Sequence, residues 1–125
     1  MLANEEGFKG VYPKDRLKEC NAKGGSVVVN LDNSGGDGTH WVACFNEYYF
    51  DSYGVEPPTD VLRWMKKNHK EVLYNSFQLQ KLGTSSCGWF CIYVIKELNR
   101  GISFLDVLYS LLPGDEVLKR YFFKD

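Results

Sequence analysis

The stretch Gln80-Lys-Leu-Gly-Thr-Ser-Ser-Cys87-Gly88-Trp-Phe-Cys91 passes from small polar residues into an apolar run that continues beyond its end. Apolar residues occupy nearly every side of the first turns, which predicts a buried helix over Cys87–Arg100. Thr84-Ser85-Ser86 can supply the N-cap, and Gly101 suits the end of the helix. Cys87 is therefore expected at a loop-to-helix junction.

The rest of the chain predicts short strands and helices, while the segment up to Leu17 reads as irregular. The predicted strands are Ser26–Leu31, His40–Phe45, Tyr48–Ser52 and Val72–Gln80, the second and third forming a hairpin that turns at Asn46-Glu47. The further helices are Asp60–Lys67 after a Thr59 cap, Phe104–Leu112 after a Ser103 cap, and Asp115–Phe123. Because the strands lack βαβ alternation, we expect one α+β domain over residues 1–125.

Composition narrows the class of protein. The 125 residues are 44% hydrophobic and 25% charged, which is ordinary for a globular domain. A net charge of −1 argues against nucleic acid or an anionic membrane held by bulk electrostatics. Neither a signal peptide nor an apolar stretch of membrane length is visible. The four cysteines are therefore expected to be free thiols in an intracellular protein that is not secreted.

The predicted hairpin brings a base and an acid together. A two-residue turn pairs Phe45 with Tyr48 and Val42 with Asp51, which places His40 and Asp51 on one face. Diagonal neighbours lie about 7–8 Å apart at the backbone, within reach of an imidazole–carboxylate hydrogen bond if the strands twist. Asp51 is therefore expected to orient the His40 ring.

Cys87 is the candidate nucleophile because a helix N-terminus and a neighbouring imidazolium both favour a thiolate. Gly88 would let a substrate backbone approach closely. The alternative is a buried structural thiol, which suits Cys91 and Cys44 better. Cys20 has no assigned role.

A zinc site is the other use for these residue types. The spacings Cys87-x-x-x-Cys91 and His40-x-x-x-Cys44 do not suit it, and no metal or cofactor is expected. His69 lies in a polar run and has no implied partner. The loop Asn33–Thr39 lacks the ending of a phosphate-binding loop.

The chain resembles the adenain-like cysteine proteases of adenoviruses and virus-like mobile elements and, more distantly, the Ulp-type SUMO-deconjugating proteases. The stretches that carry the resemblance are Phe8-Lys-Gly-Val-Tyr-Pro-Lys-Asp-Arg-Leu17, Gly38-Thr-His-Trp-Val, Phe50-Asp-Ser-Tyr-Gly54, and Gln80 followed by Cys87-Gly-x-Phe-Cys91. The resemblance implies a papain-like fold with a central mixed sheet and the nucleophile at the start of a buried helix.

The resemblance also implies roles for single residues. His40 would be the general base, Asp51 its partner, Cys87 the nucleophile and Gln80 the side-chain donor to the oxyanion. Gln78 is the fallback for that donor. Trp41 would wall a narrow substrate channel, which implies a preference for glycine beside the scissile bond.

The implied function is maturation of viral or virus-like capsid precursors by an endopeptidase in the host cell or virion. The expected partner is a polypeptide substrate, with an activating peptide possible as in the adenoviral enzymes. Three alternatives stay open: a protease that deconjugates a ubiquitin-like modifier, an inactive peptide-binding module, and a zinc-stabilised structural protein.

Overall fold

The structure is a computed structural model that describes residues 2–21, 23–32, 40–80, 86–112 and 114–122, with the backbone alone at residues 114, 115 and 119. The strands are β1 (Phe8–Pro13), β2 (Ser26–Asn30), β3 (Trp41–Phe45), β4 (Tyr48–Phe50) and β5 (Leu73–Tyr74). The helices are a 3-10 helix over Lys14–Glu19, followed by α1 (Thr59–Lys66), α2 (Cys87–Asn99), α3 (Phe104–Ser110) and α4 (Gly114–Phe122).

The five strands form one sheet in chain order, from β1 at one edge to β5 at the other. The outer pairs, β1 with β2 and β4 with β5, are parallel. The inner pairs, β2 with β3 and β3 with β4, are antiparallel. The expected α+β fold with a central mixed sheet is therefore confirmed.

Alternation along the strands divides the core between the two faces of the sheet. Val28, Ala43 and Phe50 pack on one face with α2, α3 and α4. The second face carries the neighbouring residues of the same strands together with α1 and the 3-10 helix, and its buried strand residues are Val27, Val29, Val42, Cys44 and Tyr49. The helix that begins at Cys87 therefore lies against the middle of the sheet.

The prediction of an irregular N-terminal segment is wrong. Residues Phe8–Pro13 form edge strand β1, and Lys14–Glu19 form the 3-10 helix with Leu17 buried. The register of β1 shifts between Phe8 and Val11, and Gly10 has a φ of +117°. This irregularity breaks the period-2 pattern by which a strand is recognised in sequence.

The predicted strand Val72–Gln80 is also wrong beyond its first residues. Only Leu73–Tyr74 pair with the sheet, and the segment Asn75–Gln80 is irregular. The backbone N–H groups of Leu79 and Gln80 both donate to the Ser52 carbonyl, so this segment is held by the end of β4 instead of by a ladder.

Most of the helix predictions are confirmed to within one or two residues. Helix α2 is followed by Gly101 with a φ of +89°, and the Ser103 hydroxyl accepts the capping hydrogen bond from the Asp106 N–H. Thr59 is wrong as a cap, because α1 already begins there and Pro58 precedes it. In α1, Val61 and Met65 are buried as expected, together with Trp64, whereas Leu62 is half-buried.

The N-cap of α2 differs from the prediction as well. Ser86 occupies the cap position, but its side chain makes no capping hydrogen bond to the described part of the helix. Several positions of the sequence predictions lie outside the described residues: the loop Asn33–Thr39, the cap residues Thr84 and Ser85, Pro113 and Phe123. Across the described ranges, no helix is both long and apolar enough to cross a bilayer.

Candidate active site

The ends of the β3–β4 hairpin bring His40 and Asp51 together. His40 immediately precedes β3, Asp51 immediately follows β4, and the register Phe45 with Tyr48 is the one that a two-residue turn predicts. The His40 Nε2 atom lies 2.9 Å from Asp51 Oδ1. Asp51 is buried, so the carboxylate is fixed beside the ring.

Asp51 is held by two further groups that sequence reasoning missed. The Tyr53 N–H donates to Asp51 Oδ1 at 2.8 Å. The Asn75 side chain pairs with the Asp51 backbone, accepting from its N–H at 3.1 Å and donating to its carbonyl at 2.6 Å. Asn75 is itself buried and lies in the segment wrongly predicted as a strand, where no sequence signal distinguishes it.

The surroundings of His40 favour the imidazolium. The hydrogen bond with Asp51 and then the interaction with Cys87 raise the pKa of His40 from 6.5 to about 9, against the opposing effect of burial. Tyr53 stacks on the ring, with a centroid distance of 4.9 Å and an interplanar angle of 23°. Because Nε2 is engaged by Asp51, proton exchange with the Cys87 thiol falls to Nδ1, a buried atom that has no hydrogen-bond partner among the described residues.

Cys87 is the first residue of α2 and is 5% exposed. Burial alone would raise the pKa of its thiol. The interaction with His40 and hydrogen bonds from the Trp41 and Gly88 N–H groups outweigh that effect, and the pKa of Cys87 is lowered. The site therefore favours a thiolate–imidazolium pair between two residues that lie 47 positions apart in the chain (87 − 40).

The other three thiols behave in the opposite way. Burial raises the pKa of Cys44 to about 12, raises that of Cys91 well above its ordinary value, and raises that of Cys20. All four cysteines are free. Among the residues that the structure describes, no group of three metal-ligating side chains could hold an ion.

Gln80 is buried and is hydrogen-bonded to Ser52, the residue that directly follows Asp51 in the chain. Its side-chain Oε1 accepts a hydrogen bond from the Ser52 hydroxyl at 2.6 Å, and its N–H donates to the Ser52 carbonyl at 3.0 Å. Gln78, the fallback for Gln80, is exposed, and its Nε2 donates to the Gln80 carbonyl at 2.8 Å. Ser52 lies in the quoted Phe50–Gly54 stretch, but nothing in the sequence linked it to Gln80.

Trp41 and Gly88, the expected substrate-binding residues, line one apolar cavity. The cavity has a volume of about 450 Å³ and is also lined by Phe8 and Ile92. A Cβ placed on Gly88 would meet open space, because among the described residues no heavy atom lies within 4 Å of it apart from its chain neighbours and its own helix backbone. Two residues of the cavity lining, Trp41 and Gly88, therefore directly follow His40 and Cys87 in the chain.

A thiol beside an imidazole that a carboxylate orients, at the start of a helix packed on a mixed sheet, is the arrangement typical of papain-like cysteine proteases. No protein-family model matches the chain. The chain is 27% identical over 131 residues to the SUMO-1 cysteine protease S273R of a Kenyan pig isolate of African swine fever virus, an alignment that covers 91% of this chain and 47% of the relative. It is 26% identical, with the same coverage, to the cysteine protease S273R of the Vero-adapted Badajoz strain.

Two crystal structures of the pS273R protease of the same virus are also similar. One has a TM-score of 0.55 at 25% identity and covers 75% of this chain and 40% of that chain. The selenomethionine form has a TM-score of 0.58 at 27% identity and covers 80% of this chain and 42% of that chain. The chain is therefore a homologue of these viral cysteine proteases, of adenain-like and Ulp-type fold, and it spans about half the length of the curated relatives.

Proposed function

We propose that this chain is the catalytic domain of a thiol endopeptidase. The observation that carries the proposal is the hydrogen bond of 2.9 Å that orients His40 on Asp51, together with Cys87 at the start of α2. The opposite pKa shifts agree with it, since the pKa of Cys87 is lowered and that of His40 is raised to about 9. A paired thiolate and imidazolium is the resting state from which such enzymes attack a carbonyl. The relatives named as cysteine proteases support the same reaction class.

The proposed mechanism uses four side chains. The Cys87 thiolate adds to the carbonyl carbon of the scissile amide, and the oxygen takes up the displaced electron pair. The Gln80 side chain and the Cys87 N–H stabilise that oxyanion. His40, oriented by Asp51, protonates the leaving amine as the carbon–nitrogen bond breaks. Water then hydrolyses the thioester, with His40 taking its proton.

The proposed substrate is a polypeptide precursor of a viral or virus-like particle, cleaved at glycine-containing sites in the host cell or virion. Trp41 and Gly88 are proposed to contact it, because both line the apolar cavity and they directly follow His40 and Cys87 in the chain. The second candidate is a ubiquitin-like conjugate, which the name of the viral SUMO-1 cysteine proteases favours. Cleavage within a precursor, as opposed to release of a modifier's C-terminal tail, separates the two.

The test of the reaction class is the pH dependence of iodoacetamide alkylation, with the labelled cysteine mapped by mass spectrometry. We expect labelling at Cys87 that persists well below pH 8 and is weakened by His40→Ala. Cys44 is the internal control, because burial raises the pKa of its thiol to about 12. Alkylation of Cys87 no faster than that of a free thiol would favour the inactive peptide-binding module instead.

A further inference from the structure

Ser52 connects the His40–Asp51 pair of the candidate site to Gln80, the proposed oxyanion donor. It is 1% exposed and follows Asp51 directly in the chain. Its hydroxyl donates to Gln80 Oε1 at 2.6 Å, and its carbonyl accepts from the N–H groups of Leu79 at 2.8 Å and Gln80 at 3.0 Å. One residue therefore binds both the backbone and the side chain of the proposed oxyanion donor.

The hydroxyl contact sets the orientation of the Gln80 amide. A primary amide presents an acceptor oxygen and a donor nitrogen on opposite sides. With Oε1 held by the Ser52 O–H, the Nε2 donor points away from Ser52. The carbonyl of Gln80 is fixed as well, because the Gln78 side chain donates to it at 2.8 Å.

We propose that Ser52 is a positioning residue that holds the Gln80 side chain as an oxyanion donor. The proposal rests on the proposed function, since it assigns a partner to a group within that site. Because Ser52 and Asp51 are adjacent, the end of β4 would set both the orientation of the base and that of the oxyanion donor. Neither task requires Ser52 to touch the substrate.

Two reactions of Cys87 separate this role from a structural one. Alkylation by iodoacetamide displaces iodide from a saturated carbon, so no oxyanion forms and Gln80 is not required. A peptide ending in glycine aldehyde instead adds the Cys87 thiolate to its carbonyl carbon. The carbonyl π pair moves to oxygen and gives the hemithioacetal anion while His40 keeps its proton, so the charged oxygen lies where the oxyanion donors act.

The experiment measures both reactions in wild type, Ser52→Ala, Gln80→Ala and the double variant. We expect aldehyde affinity to fall roughly 100-fold in Gln80→Ala and roughly tenfold in Ser52→Ala. The double variant should be no weaker than Gln80→Ala, because Ser52 acts only through that side chain. The rate of alkylation should stay within about twofold of wild type at each pH in every variant.

Several results would overturn the proposal. Additive losses in the double variant would mean that Ser52 acts independently of Gln80. A changed alkylation profile in Ser52→Ala would place its effect on Asp51 and His40. Unchanged aldehyde affinity in Gln80→Ala would show that Gln80 is not an oxyanion donor, so Ser52 would have no donor to position.

Two further outcomes are kept apart by the design. Ser52→Cys, which keeps the side-chain volume but is a weak donor, repeats the test if Ser52→Ala does not fold. Failure of both variants to fold would assign Ser52 to the fold instead of to Gln80. A wild-type Cys87 that is alkylated like a free thiol would overturn the proposed function itself.

Discussion

The two sides of the candidate site are held in different ways. The hairpin of β3 and β4 supplies His40 and Asp51 at the ends of two regularly paired strands. The segment Asn75–Gln80 supplies Gln80 from irregular chain. Strand register places the base and the acid, whereas side-chain and backbone hydrogen bonds across the fold place the proposed oxyanion donor.

The hairpin side is determined by neighbours in sequence. Asn46 occupies the turn with a φ of +52°, a conformation that asparagine tolerates better than most residues. That turn pairs Phe45 with Tyr48, and the resulting strand register places His40 Nε2 at 2.9 Å from Asp51 Oδ1. A short stretch of sequence is therefore sufficient to specify this contact.

The irregular side depends on contacts between distant positions. The pairing of Asn75 with the Asp51 backbone joins residues 24 apart, and the Ser52–Gln80 bond joins residues 28 apart. Gly54, with a φ of +75°, lies so close to Phe77 that an added Cβ would be 2.6 Å from its carbonyl carbon. This side is specified by tertiary packing that no local pattern records.

The largest expected effect comes from breaking the hairpin side. His40→Ala removes both the partner of the Cys87 thiolate and the acid that protonates the leaving amine. We expect kcat/KM for peptide hydrolysis to fall about 10⁴-fold. His69→Ala, which alters the other histidine, is the control and should stay within about threefold of wild type. Comparable losses in the two variants would contradict the assignment of His40.

The irregular side is tested next, by Gln80→Ala against Gln78→Ala. Removing an oxyanion donor costs about 10²–10³-fold in kcat, so Gln80→Ala should lose that much with little change in KM. Gln78 is exposed and its side chain donates to the Gln80 backbone carbonyl, away from the Gln80 amide, so its variant should lose less than about threefold. The reverse order would assign the donor role to Gln78.

What could be predicted from the sequence follows the same division. Helix α2, the valine-rich β2 and the hairpin carry their signals in their own residues, as an apolar run, a β-branched run and a two-residue turn, and their sequence predictions agree with the structure to within two residues. Strand β1 was missed because a register shift and Gly10 interrupt its pattern.

The roles of Asn75, Ser52 and Tyr53 could not be predicted for a different reason. Asn75, Ser52 and the Tyr53 ring each act on a partner that only the folded chain brings near, and asparagine and serine are common in loops and turns. The four side chains of the proposed mechanism could be singled out in the sequence because their chemistry is rare in combination. The residues that position them are ordinary in sequence.

A smaller effect separates two glycines with positive φ. Gly54→Ala forces both an unfavourable backbone and a clash with the Phe77 backbone, and should lower the free energy of unfolding by about 3 kcal/mol or more. Gly101→Ala is the matched control: its φ is +89°, but apart from its chain neighbours no heavy atom of the described residues lies within 4 Å of an added Cβ. It should cost about 1 kcal/mol in urea unfolding. Equal losses would mean that the close approach to Phe77 does not constrain the irregular side.

The smallest expected effect refines the hairpin side. Hydrolysis needs the His40 imidazolium, which is lost as pH rises through its pKa of about 9, so the alkaline limb of kcat/KM should fall near pH 9. That limb belongs to the coupled His40–Cys87 pair. Stacking of an aromatic ring on a cation is worth about 0.5–1 kcal/mol, so Tyr53→Leu should move the limb down by about half a pH unit.

Tyr74→Leu controls for the loss of a tyrosine, because Tyr74 is an exposed residue of β5. Its alkaline limb should coincide with that of wild type. A limb that stays in place in Tyr53→Leu would show that the ring orients His40 without stabilising its charge. In that case the raised pKa of His40 would rest on Asp51 and Cys87 alone, the two groups whose interactions raise it most. The charge on His40 would then depend on Asp51, which the strand register places, and on Cys87 at the start of α2, with no contribution from Tyr53.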